Sequence, residues 1–151
     1  MRTIKYIIVH CSATAEGKNF HAKDIDKWHR QRGFNCIGYH YVIDLDGKVE
    51  AGRPESQVGA HCAGYNSVSI GVCYIGGCGK GGKTPKDTRT EEQRESLRRL
   101  LIEMKRKYPA AVICGHRDMS PDKNHDGKIE PWEWMKACPS FDAKTEYKDI
   151  K

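Results

Sequence analysis

The sequence predicts a single α/β domain with a central mixed β-sheet flanked by helices. Three observations carry that expectation. Strand-length apolar runs are interspersed with helix-periodic stretches, 151 residues suit one hydrophobic core, and no repeat or linker divides the chain. Thr3 to His10 is rich in β-branched residues and reads as a buried strand. Ala22 to Arg32 carries Ile25, Trp28 and His29 at helical spacing and stops at Gly33, a good C-terminal signal. Tyr39 to Asp44, a turn at Asp46-Gly47, and Lys48 to Ala51 make a hairpin pattern. Ser69 to Ile75 is a second buried strand, followed by a glycine-rich surface loop from Gly76 to Gly82.

The clearest helix runs from Glu91 to about Tyr108. Leu97, Leu100, Leu101, Met104 and Tyr108 share one face, and Thr90 with Gln93 forms a capping box. Pro109 stops it. Ala111 to Cys114 is a short strand ending at Gly115-His116, and Trp132 to Ala137 reads as a short last helix. The tail after Cys138 is polar and carries no clear element.

Composition excludes some classes. Charged residues make up 30% of the chain, so it is not a membrane protein, and no apolar run approaches the roughly 20 residues a membrane span needs. The apolar stretch near the N-terminus, Tyr6 to Val9, is too short for a signal peptide. The expectation is cytoplasmic synthesis, with a monomer and no membrane partner. The net charge of +6 favours an anionic partner such as nucleic acid or a bacterial wall polymer. Seven cysteines in a chain without an export signal are expected to be reduced thiols.

Two histidines and a cysteine stand out: His10 and His116 at strand ends, and Cys138 within Lys136-Ala137-Cys138-Pro139. Two imidazoles and a thiolate suit zinc, and three protein ligands leave a fourth position for water, as catalytic zinc requires. With seven histidines and seven cysteines, however, such a trio arises easily by chance. The surrounding residues decide it. Ile8-Val9-His10-Cys11-Ser12-Ala13-Thr14, Gly38-Tyr39-His40-Tyr41-Val42-Ile43, Gly59-Ala60-His61-Cys62-Ala63-Gly64-Tyr65-Asn66, Gly115-His116-Arg117-Asp118 and the Lys136 motif occur in this order. Together they resemble the zinc-dependent N-acetylmuramoyl-L-alanine amidases, the family of phage amidase lysozymes and peptidoglycan recognition proteins, over roughly residues 3 to 142.

The resemblance implies that Zn2+ sits on His10, His116 and Cys138, and that Tyr39 and Lys136 fill the catalytic Tyr and Lys positions. It places His61 in the substrate groove near zinc. The implied reaction cleaves the amide between the lactyl group of N-acetylmuramic acid and L-alanine, with bacterial peptidoglycan as partner and no nucleic acid. The enzyme would then act on the cell wall after release or delivery by another system. His21, His29, His40 and His125 default to structural or surface roles.

Nineteen residues, Arg117 to Met135, separate His116 from Lys136, more than phage members of the family usually carry. Within this insertion, about 119–135, Asp122-Lys-Asn124-His-Asp126-Gly127-Lys128-Ile-Glu130-Pro-Trp-Glu133 follows the twelve-residue calcium-loop pattern. Asp122, Asn124, Asp126 and Glu133 would supply side-chain oxygens and Lys128 its carbonyl to Ca2+. The competing reading is an acidic turn that caps the helix starting near Pro131.

Three rivals to the zinc hydrolase remain. Gly77 to Thr84 spells a phosphate-binding P-loop, but Pro85 to Arg89 intervene before the next helix. A peptidoglycan-binding module without hydrolysis would typically lack the Cys ligand, which is present here. A purely structural zinc would need a fourth protein ligand, and His125 and Cys11 are the candidates.

Overall fold

The computed structural model describes residues 2–151; Met1 lies outside the described residues. A five-stranded sheet has the order β4-β3-β5-β1-β7. The strands are β1 (Tyr6–Cys11), β3 (Tyr41–Ile43), β4 (Val49–Ala51), β5 (Ser69–Tyr74) and β7 (Val112–Gly115). All neighbours are parallel except the hairpin β3–β4, so the sheet is mixed as expected.

Strand β1 lies at the centre of the parallel part, with Val9 opposite Val72 on one side and Gly115 on the other. Its side chains alternate. Ile7, Val9 and Cys11 join Val72, Tyr74 and Ile113 beneath helix α2 (Glu91–Lys107). Leu97, Leu100, Leu101 and Met104 of α2 are all buried there, as their spacing predicts. The Thr90 capping box forms in both directions, at 3.0 and 2.9 Å. Buried Gln93 also donates to the carbonyls of Ile43 and Ile75, fixing α2 across the ends of β3 and β5. Helix α1 (Ala22–Gln31) covers the opposite face through Ile25 against Val42 and Cys73. His10 points to α1's side of the sheet.

Three segments differ from expectation. Residues 132–137 do not form a helix; a 3-10 turn covers only Pro131–Glu133. There the Met135 N–H donates to the Ser120 hydroxyl rather than to a helical carbonyl, and the chain turns back toward the sheet.

The glycine-rich segment is not a free loop. Gly77–Cys78 forms β6, paired in parallel with β2 (Thr14–Ala15), and Cys78 bridges to Pro85. No helix follows it directly, which removes the P-loop reading.

The C-terminal tail is part of the core. Phe141, Ala143 and Tyr147 are buried on or beside a short helix α3 (Ala143–Glu146). The fully covered Arg89 side chain pairs with Asp87 and Glu146, donates to the Tyr147 hydroxyl at 2.8 Å, and lies 3.4 Å from the centre of the Phe141 ring. All seven cysteines are free thiols.

Phe141→Ala removes both the apolar contact and the surface on which Arg89 rests. It should lower unfolding free energy by about 3 kcal/mol, read by urea titration. An unchanged midpoint would show that the tail is not part of the core.

Candidate metal centre

The register that pairs Val9 with Gly115 brings the residue after each, His10 in β1 and His116 at the start of a 3-10 turn, side by side. Their ring centres are 4.7 Å apart although 106 positions separate them in sequence. The third member returns from the insertion. The Arg117 N–H donates to the Cys138 carbonyl at 2.8 Å, and the segment lies tight against β7. A Cβ at Gly115 would come within 2.6 Å of the Pro139 ring, so only glycine permits this approach.

One ligand atom each from His10, His116 and Cys138 lies within 4.8 Å of the others. Cys138 Sγ is 3.7 Å from His10 Nδ1, close to the roughly 3.5 Å separation of donors around a tetrahedral zinc. The donor set therefore fits zinc. Among the described residues no fourth histidine, cysteine or carboxylate joins the cluster. His125 is exposed and Cys11 packs with the core beneath α2, and neither belongs to the cluster, so a closed structural site would lack its fourth ligand.

His61 completes the constellation from behind. Its Nδ1 is 2.8 Å from His10 Nε2, and its Nε2 is 3.3 Å from the Ser69 hydroxyl. Both ring nitrogens are thus engaged. The contact leaves His10 Nδ1 free toward Cys138 and fixes the plane of the ring, the usual arrangement behind a metal-ligating histidine. The loop carrying His61 is held by Asn66, whose side-chain oxygen accepts from the N–H groups of His61 and Cys62.

Burial sets the charge state. It drives His10 well below the usual imidazole range, His61 down to about 3, and His116 down to about 4 with help from the Lys136 ammonium. At neutral pH all three rings are uncharged, with lone pairs available. Burial also pushes the Cys138 thiol well up, while the Cys11 N–H, donating to Sγ at 3.2 Å, favours the thiolate. The Tyr39 hydroxyl is pushed well above its ordinary value, again chiefly by burial. Tyr39 precedes β3 instead of lying within it, and its ring centre is 5.0 Å from that of His10.

These residues open onto a cleft of about 630 Å³. Tyr39, His61, His116 and Cys138 line its floor, and exposed Lys136 lies on its rim. Trp28 of α1 and Arg32, the residue that caps the helix C-terminus, form a wall of the cleft. Three further histidines are held in the framework. His29 accepts from the Gly38 N–H, His40 accepts from the Gly71 N–H, and His21 pairs with Asp44 and Glu50. In the insertion, Asp122, Asp126 and Glu133 form a separate cluster.

The family model for N-acetylmuramoyl-L-alanine amidase matches residues 1–139. The chain belongs to that family. This amidase is 44% identical over 138 residues to the endolysin of Escherichia phage T7, covering 91% of this chain and 82% of the relative. Its fold is similar to that of the amidase LysC from Clostridium intestinale (TM-score 0.73, 27% identity, 96% of this chain and 82% of that one). It also resembles a solved complex of tracheal cytotoxin with the peptidoglycan recognition proteins LCa and LCx (TM-score 0.71, 26% identity, 99% and 83% covered). The amidase hydrolyses the amide bond between N-acetylmuramic acid and L-alanine of peptidoglycan.

Because His61 and His116 titrate lower in the fold than in the unfolded chain, the unfolded chain takes up protons first on acidification. Stability of the metal-free amidase should be full above about pH 6.5 and fall as pH drops toward 4. Urea midpoints that stay constant across that window would contradict the buried, neutral cluster.

Proposed function

We propose that the amidase is zinc-dependent, with His10, His116 and Cys138 as ligands and with Tyr39, Lys136 and His61 assisting hydrolysis in the cleft above them. The convergence of three ligand atoms from remote parts of the chain carries this reading. A zinc ion held there would polarise the amide carbonyl and acidify a water molecule to a pKa of roughly 7.

The chain's own groups supply the rest. Lys136 on the cleft rim brings a positive charge near the carbonyl oxygen as it gains negative charge. Tyr39 stays protonated throughout the working pH range, so it acts as a hydrogen-bond and proton donor and not as a base. His61 is a positioning residue, orienting His10 through the 2.8 Å contact. The stem peptide would lie between this floor and the wall formed by Trp28 and Arg32.

No helix among the described residues is long and apolar enough to cross a membrane. We propose that the enzyme meets the wall after release or delivery by another system.

Zymography on purified peptidoglycan should show clearing that a chelator abolishes and added zinc restores. Cys138→Ser should abolish clearing and zinc retention together, and normal clearing by that variant would overturn the ligand assignment. Tyr39→Phe and Lys136→Met should keep their thermal midpoints and lose roughly a hundredfold in kcat, the scale expected for one donor to a developing charge.

A further inference from the structure

We propose that the loop from Asp122 to Glu133 is a calcium site, separate from the proposed zinc centre, that holds in place the segment leading to Lys136 and Cys138. The sequence supplies oxygen donors at calcium-loop spacing, and the fold brings one ligand atom each of Asp122, Asp126 and Glu133 within 4.8 Å of one another. Gly127, at the loop's sixth position, has φ +82°, the left-handed conformation that the sharp turn needs and glycine supplies.

Hydrogen bonding alone explains part of this arrangement. Buried Glu133 accepts from the N–H groups of Lys123 and Glu130 at 2.5 and 2.9 Å, capping the 3-10 turn. Asp126 accepts from the Lys128 N–H at 2.9 Å, and Asp122 Oδ2 accepts from the Gly127 N–H at 2.8 Å.

Asp122 Oδ1 is the exception. Although the residue as a whole is half-buried, this oxygen is turned away from solvent and has no hydrogen-bond partner in the protein. A shielded carboxylate oxygen without a donor has lost water and gained nothing in return, and its neighbours in the cluster are themselves acceptors. The species that satisfies three converging carboxylates at once is a cation.

The donors select among cations. Every candidate ligand is oxygen: three carboxylates, the Asn124 amide and the Lys128 carbonyl. Hard oxygen donors in a twelve-residue loop favour calcium over zinc, which prefers nitrogen and sulfur, and over magnesium, which demands a near-ideal octahedron. Glu133 lies five residues before Cys138. The intervening Met135 N–H is anchored on buried Ser120, so the loop and the returning segment share one local framework.

The test uses the whole zinc-loaded protein. Terbium, a luminescent calcium mimic, should bind the loop and be excited through Trp132, which lies within it. Calcium should displace terbium and raise the thermal midpoint by about 5 °C when present at a hundred times its dissociation constant. Asp126→Asn changes an exposed side chain. This variant should keep the calcium-free midpoint while losing both the luminescence and the calcium shift.

Absence of a calcium shift in the unaltered protein would overturn the proposal. So would an equal shift in Asp126→Asn, because the ion would then sit elsewhere. Neither result bears on the zinc reading, which chelation and Cys138→Ser test separately.

Discussion

The seat of β1 between two parallel partners is the constraint on which the rest depends. A parallel ladder carries each strand forward in the same direction, so neighbouring strands end along one edge of the sheet. The register that sets Val9 against Gly115 delivers His10 and His116 to that edge at the same height. A one-residue slip would send His10 to the face covered by α2 and close the site. The buried leucine stripe of α2 opposes such a slip, because it requires Ile7, Val9 and Cys11 on its own side.

The same burial that stabilises the sheet also prepares its chemistry. Three imidazoles packed together would repel one another if protonated, and exclusion of water keeps them neutral. A single ammonium at the rim then acts on an uncharged floor. His61 shows how little is left to chance: one nitrogen is spent on His10 and the other on Ser69, so the ring that faces the proposed metal has one tautomeric pattern to satisfy. Position and charge state arise from one packing arrangement.

Much of this was legible in the sequence, but for different reasons in different places. The α2 stripe and its Thr90–Gln93 cap are local signals and appear where spacing puts them. The proposed ligand trio could not be read from spacing, since its members lie far apart along the chain; only the motifs around each residue pointed to it. The C-terminal helix was missed because Phe141, Ala143 and Tyr147 are scattered among charged residues, and their purpose appears only once Arg89 folds beneath them. Residues 132–137 were misread because helix propensity there yields to a bond from Met135 to Ser120, a partner fifteen positions away. Trp28 and Arg32, four positions apart at the end of α1, carry a wall signal that looks the same as core periodicity until the cleft is seen.

The close approach of Pro139 to Gly115 has a bearing on how the protein is made. During synthesis both imidazoles leave the ribosome well before the thiol that joins them, and β7 waits with its glycine uncovered. Products of premature termination, or fragments clipped in the 120s, therefore lack the proline that packs on Gly115 and the proposed third ligand, Cys138. On the proposed ligand set, the chain becomes able to cut its substrate only near the end of its synthesis.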